Sequence, residues 1–246
     1  MTESNNENII TIKLYNKSCF ELMESIESET IDLILIDPPY EISKPTGFAN
    51  GGGIERFAIS MDFGEWDKDF SGLDIVINQA YRILKKGGTF ICFYDIWKIT
   101  TLKEHMEKAK FKQIRFIEWL KTNPVPINSK LNYLTNAREI ALSGVKVGNP
   151  TFNSQYHNGI FNHPIYHTKE RFHPTQKPVK LISELIELHS NPGEIVLDCF
   201  AGSGTAAISS IETGRNFIGC ELDPQYHQKS MERIQKQNND RAIIEQ

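Results

Sequence analysis

Residues 195–205, Ile195-Val-Leu-Asp-Cys-Phe-Ala-Gly-Ser-Gly-Thr205, read as an apolar strand that runs into a glycine-rich turn and then into the helical pattern Ala206 to Glu212. Glycines at 202 and 204 let backbone come close to a ligand, and the helix amino end beyond them offers free N–H groups. A second apolar strand, Asn216 to Cys220, ends in Glu221, 19 residues beyond Gly202. An acid about that far past a glycine turn is where nucleotide-binding folds grip a ribose diol. Strand, Gly-x-Gly, helix, strand and acid in this order specify an α/β fold with parallel strands.

A second strand signal lies far upstream, at Ile31-Asp-Leu-Ile-Leu-Ile-Asp-Pro-Pro-Tyr40. The β-branched and leucine-rich run suits a strand covered on both faces. Pro38 and Pro39 stop it abruptly, so Asp37 and Tyr40 are displayed at a carboxyl strand end, where open α/β sheets bind their ligands. The two strand ends, at 37 and 198, are expected side by side.

Around these anchors the chain alternates strands and helices. Ile9 to Leu14 reads as a strand. Ser18 and Glu21 form a capping box for a helix from Cys19 to about Ile26. Residues 41–70, with Gly51-Gly-Gly53, make a long connection that reads as a mobile loop. A helix over Leu73 to Leu84 ends at Gly87-Gly88 before a strand over Thr89 to Tyr94. A lysine-rich helix, about Ile96 to Ala109, leads to strands at Ile114 to Leu120 and Ala137 to Val145, read as an antiparallel edge pair. Glu139 is the odd residue in the second of them. Residues 146–175 hold few aliphatics and four of the seven histidines. Their spacing fits no zinc pattern, and no metal is assigned. A helix over Val179 to His189 returns to the glycine-turn strand. Pro224 opens the last helix, to about Gln237, and the tail beyond reads as polar and frayed.

The fold expected is a single domain over 1–246: a doubly wound, mostly parallel Rossmann-like sheet with an antiparallel edge pair. At 246 residues and 39% hydrophobic content one core suffices. The polar amino terminus and the lack of an 18-residue apolar run predict a cytoplasmic chain with no membrane segment. Four cysteines without a C-x-x-C pair read as reduced core thiols. Charge is uneven. Residues 1–74 carry 5 basic and 15 acidic groups, and residues 98–146 carry 10 basic and 4 acidic. The second segment can supply a basic face for phosphate contacts.

A nucleoside cofactor would sit over the glycine turn and Glu221, and a second planar group would meet the tip at Asp37. These pieces suit methyl transfer to an aromatic amine. The lone pair of such an amine is delocalised into its ring. Acceptors for its hydrogens, here the Asp37 carboxylate and the Pro38 carbonyl, would draw that pair back onto nitrogen, while Tyr40 stacks on the ring. A base inside a duplex must first be flipped out.

The pairing of Asp37-Pro38-Pro39-Tyr40 with Phe200-Ala-Gly-Ser-Gly-Thr205 resembles the S-adenosylmethionine-dependent amino methyltransferases of DNA. The catalytic motif precedes the cofactor motif, the permuted order of their β class. Phe63-Gly-Glu-Trp-Asp67, Trp119-Leu-Lys-Thr-Asn-Pro-Val-Pro126, His173-Pro-Thr-Gln-Lys-Pro178 and Phe217-Ile-Gly-Cys-Glu221 match too. The resemblance implies cofactor contacts from Asp198, Phe200, Gly202, Gly204, Thr205 and Glu221, with Lys177 near the methionine carboxylate. It implies target recognition within 146–172 and double-stranded DNA as substrate. It also admits a homodimer and a cognate restriction endonuclease as partners. Cytosine-N4 enzymes of the family usually have serine where Asp37 stands, so adenine N6 is the expected target. The alternatives are a cytosine-N4 enzyme, a nicotinamide dehydrogenase, which leaves Asp37 to Tyr40 without a role, and a catalytically silent DNA-binding protein, which would have no need of an intact tip.

Overall fold

In the computed structural model, which describes residues 9–39, 72–125, 134–165, 171–173 and 175–245, the apolar runs fall into nine strands. They are β1 (Ile10–Asn16), β2 (Ile31–Ile36), β3 (Leu84–Tyr94), β4 (Lys112–Lys121), β5 (Arg138–Val145), β6 (Ile160–His163), β7 (Ile195–Asp198), β8 (Asn216–Glu221) and β9 (Ala242–Glu245). Six helices connect them: α1 (Cys19–Ser25), α2 (Leu73–Ile83), α3 (Ile99–Lys108), α4 (Val179–His189), α5 (Thr205–Thr213) and α6 (Pro224–Asn238). The strands form one sheet in the order β6-β4-β5-β3-β2-β7-β8-β1-β9, in which β5 alone runs against its neighbours.

Period-two alternation along β2 divides the core. Leu33 and Leu35 join α4, α5 and α6 on one face, and Ile34 and Ile36 join α1, α2 and α3 on the other. Helices on opposite faces flank β2 and β7, which pair in parallel through Leu33 with Val196 and Ile34 with Leu197. This is the switch point of a doubly wound sheet, and it brings the carboxyl ends at 37 and 198 together as expected.

The capping box forms as read: Glu21 N–H donates to Ser18 Oγ at 3.2 Å, and Ser18 N–H donates to Glu21 Oε2 at 3.0 Å. All four cysteines are buried free thiols. Three expectations need correction. The tail is not frayed, because Ala242–Glu245 adds β9 in parallel to β1, held by Asn238, whose side chain bonds both Ala242 N–H and Ala242 C=O at 2.8 Å. The antiparallel pair β4–β5 is not the sheet's edge. Residues 160–163 supply β6 outside it, and the Trp119 indole donates to His163 C=O at 2.8 Å. Gly87 and Gly88 lie inside β3, which starts at Leu84, rather than ahead of it. The 41–70 loop, and Tyr40 with it, lies outside the described residues.

Asp32, the polar interruption in β2, has a structural task. Its Oδ2 accepts from Ile195 N–H at 3.0 Å, the first residue of β7, and from Lys85 Nζ at 3.0 Å. Lys85 is half exposed, so that ion pair contributes little. The bond to Ile195 fastens the two central strands. Asp32→Ala should lower stability by about 1 to 3 kcal/mol, the range for orphaning a part-buried donor. The check is a denaturant midpoint that falls with an unchanged slope.

Candidate active site

Three strand ends converge on one cavity of about 330 Å³ at the carboxyl edge of the sheet: Asp37 after β2, Asp198 closing β7 and Glu221 closing β8. Its remaining walls are largely apolar, with Phe20, Pro39, Phe93, Phe200 and Tyr226 among them. Volume and lining suit a small organic ligand held by few polar groups.

The glycine turn is shaped from below as much as from above. Gly202 and Gly204 have φ of +50° and +72°, a region L side chains avoid. A Cβ on Gly202 would come within 3.2 Å of the His173 ring, and one on Gly204 within 3.1 Å of Ile234 in α6. The missing side chains therefore make room for His173 and α6. Ser230 donates to Gly202 C=O, and Arg233 donates to Ser203 C=O at 2.8 Å and to Thr205 Oγ1 at 3.1 Å, so α6 braces the whole turn.

Glu221 Oε2 accepts from Gly202 N–H at 2.8 Å and Oε1 from Asp223 N–H at 2.9 Å. Burial pushes its carboxyl above the usual range against these two bonds. Each oxygen keeps a second lone pair for a ligand hydroxyl. Asp198 Oδ1 accepts from Phe200 N–H at 2.9 Å and so shapes the turn as well as lining the cavity. Burial pushes its carboxyl up to about 7, opposed by that bond and reinforced by the charges of Asp37 and Glu221.

Lys177 lines the cavity beside these carboxylates. Its ammonium pairs with Asp37 and, at 3.0 Å, with Glu139 of β5, which in turn pairs with Lys121 of β4 at 2.8 Å. Burial pulls the lysine toward neutrality, and the two carboxylates outweigh it, holding it above its ordinary value. Burial likewise pushes Glu139 up, and Lys177 and Lys121 bring it below the usual range. Glu139 stood out in the sequence as the charge within a strand, but its partner is 38 residues away in sequence and no spacing rule joins them. His173 does not cap α4, whose N-cap is Pro178. Its ring meets the edge of Tyr226 at 4.6 Å, and burial, then Lys177 and Arg171, lower it to about 4, leaving it neutral.

Phe200, Ala201, Gly202, Ser203 and Thr205 all line the cavity beside Asp37, Pro39, Lys177, Asp198 and Glu221. Gly204 does not line it. Residues 146–165 lie apart. Asn153 Nδ2 anchors them to the end of α4 through Glu187 C=O at 2.9 Å and Ser190 C=O at 2.8 Å. Glu184 of α4 holds His163 at 2.7 Å, and Tyr156 is 90% exposed. Among the described residues no group of three His, Cys, Asp or Glu side chains could hold a metal ion.

A doubly wound sheet with an acid-tipped strand β2 and a braced glycine turn at its switch point defines a nucleotide-cofactor enzyme of the α/β class. A family model described as DNA methylase matches residues 31–232, and the chain belongs to that family: it is a DNA methyltransferase. The type II methyltransferase M2.LlaDCHI of Lactococcus lactis subsp. cremoris is 30% identical, over 91% of this chain and 89% of the relative. M.HinfI of Haemophilus influenzae is 30% identical, over 99% of this chain and 74% of the relative. Among solved structures, the M1.HpyAVI–SAM complex matches with a TM-score of 0.69 at 26% identity, covering 91% of this chain and 99% of that one. The cytosine-N4-specific PvuII DNA methyltransferase shares the fold, with a TM-score of 0.70 at 16% identity over 96% of this chain and 95% of that one.

The raised Asp198 carboxyl has a signed consequence. The unfolded chain ionises it near 3.8 and the folded protein near 7, so between these values the folded state holds the extra proton. Stability from this group is therefore lost as pH rises through that window and is flat above it. In the ligand-free protein, Asp198→Asn should gain on wild type by on the order of 2 to 4 kcal/mol between pH 4 and 7.5. Urea titrations of both proteins measure this difference, in which the contributions of His173 and His189 cancel. Parallel stability curves would show that Asp198 is ionised throughout.

Proposed function

We propose that this chain transfers the methyl group of S-adenosylmethionine to the N6 amine of an adenine flipped out of duplex DNA. The observation that carries the reading is Asp37, fixed on the cavity wall by Lys177, one strand away from the glycine turn and two from Glu221. The donor set suits that cofactor. The spare lone pairs of Glu221 match a ribose diol, Phe200, Tyr226 and Phe20 offer apolar surface to a purine, and the cavity has room for a nucleoside. When bound, S-adenosylmethionine supplies a methyl group made electrophilic by its sulfonium sulfur.

What the chain itself contributes is orientation and fixed charge. Asp37 accepts a hydrogen bond from the target amine and so returns its lone pair toward nitrogen. The carboxylate then stabilises the positive charge that develops there, and the Lys177 pair keeps it from swinging away. Pro38 and Pro39 stiffen the tip, and Tyr40, next in sequence, supplies a stacking face. The segment 146–172, whose residues 160–163 pair with β4, reads the target sequence, with Tyr156 exposed to meet DNA. Aspartate at position 37, rather than the serine usual in cytosine enzymes, favours adenine.

Sequencing of the methylation pattern of DNA from cells expressing this chain should find N6-methyladenine at a single short sequence. N4-methylcytosine in its place would keep the family and overturn the base. Asp37→Ala should lose about two orders of magnitude or more in single-turnover methyl transfer, by analogy with removing one preorganised polar group. Its cofactor affinity should be little changed. A wild-type rate in Asp37→Ala would end the mechanism.

A further inference from the structure

Trp97 is 91% exposed, and Ile96 before it is 48% exposed. Trp119, the other described tryptophan, is buried. Indoles are highly buried on average, so one left in water next to a second apolar side chain marks a surface that something else covers.

The pair sits on the rim that a target base must cross. β2 and β3 run parallel with Ile36 opposite Cys92, so Asp37 is level with Phe93, which lines the cavity. Trp97 is four residues past Phe93, a chain length of at most about 14 Å. α3 then turns back along the sheet and buries Leu102 and Met106, which leaves residues 95–98 at the carboxyl edge. Two bonds fix that turn: Asp95 C=O accepts from Lys98 N–H at 2.9 Å, and Asp95 Oδ1 accepts from Trp97 N–H at 3.0 Å. The backbone is held while the indole stays bare.

Three features choose duplex DNA as the occupant. Residues 98–146, which begin beside the indole, carry 10 basic and 4 acidic groups, the balance that suits a polyanion. Under the function proposed above, a duplex lies across this same edge while one adenine leaves its stack. That departure bares the faces of the neighbouring bases, and an aromatic ring stacks on any of the four. The Asp95 carboxylate next to the indole disfavours a phosphate at this spot and leaves the uncharged face of a base as the contact.

We infer that Trp97 stacks on the bases bared when the target adenine flips, and so holds the duplex open at the mouth of the cavity. This rests on the proposed flipped adenine.

The probe is a duplex carrying the methylated site with 2-aminopurine at the target position. Wild-type protein with S-adenosylhomocysteine should raise its fluorescence, because the base leaves the stack. Trp97→Ala should bind this duplex about five- to a hundredfold more weakly, the loss of one base–aromatic stack, and give a smaller rise at saturation. Trp97→Phe should restore most of both. The melting temperature of Trp97→Ala and its calorimetric affinity for S-adenosylhomocysteine should match wild type, since the side chain is exposed and does not line the cavity. All three proteins should lose DNA affinity with salt at the same slope, because no phosphate contact is removed. Wild-type affinity and fluorescence in Trp97→Ala would overturn the inference. So would a shallower salt slope, which would place the residue at a phosphate, or a changed oligomeric state by sedimentation, which would place it between two copies of the chain. Wild-type protein that gives no fluorescence rise would instead overturn the flipped adenine of the proposed function.

Discussion

A buried ammonium between two carboxylates ties the catalytic side of this molecule together. Lys177 comes from the segment before α4, Asp37 from the end of β2 and Glu139 from β5, with Lys121 of β4 closing the chain of alternating charge. Taking these ions out of water is unfavourable, and only close pairing with good geometry repays it. The cluster is therefore poor evidence for stability as such and good evidence for a fixed geometry. Removing any one member leaves an uncompensated charge beside the cavity. The same ammonium lies over the Phe93 ring at 4.8 Å, so its apolar surroundings leave it few other conformations.

The sheet supplies the complementary constraint. Parallel pairing of β2 with β7 puts Asp37 and Asp198 on adjacent strand ends, and Glu221 follows one strand further on. Three acids share one desolvated edge: burial raises both Asp198 and Glu221, and the charges of Asp37 and Glu221 add to the rise of Asp198. Such an edge favours a ligand that brings positive charge and hydrogen-bond donors, which the sulfonium, ammonium and ribose hydroxyls of the proposed cofactor do. Active sites commonly hold groups that a stability optimum would remove.

Much of this was legible in the sequence because it rests on local pattern. The β-branched runs at 31–36 and 195–198 and the acid 19 residues past Gly202 specified the sheet, its switch point and the three carboxylates. What escaped depends on distance. The tie between Glu139 and Lys177 joins segments 38 residues apart, and the demand of Gly204 for glycine comes from Ile234 in α6, so neither follows a periodicity. β6 and β9 are four-residue strands in polar surroundings, too short for alternation to register. The only sequence trace of β9 is the apolar pair Ile243-Ile244 after a helix that ends in left-handed Asn239 and Asp240.

The account turns on whether the Lys177–Asp37 pair fixes the catalytic carboxylate, and a double-mutant cycle of Lys177→Met and Asp37→Asn on unfolding free energy measures that directly. Lys177→Met alone should be destabilising by about 3 to 5 kcal/mol, because it strands Asp37 in a desolvated site and leaves Glu139 with Lys121 alone. Adding Asp37→Asn should recover part of that loss, giving a coupling energy of about 1 to 3 kcal/mol. Additive losses, with a coupling energy near zero, would contradict a paired and positioned Asp37.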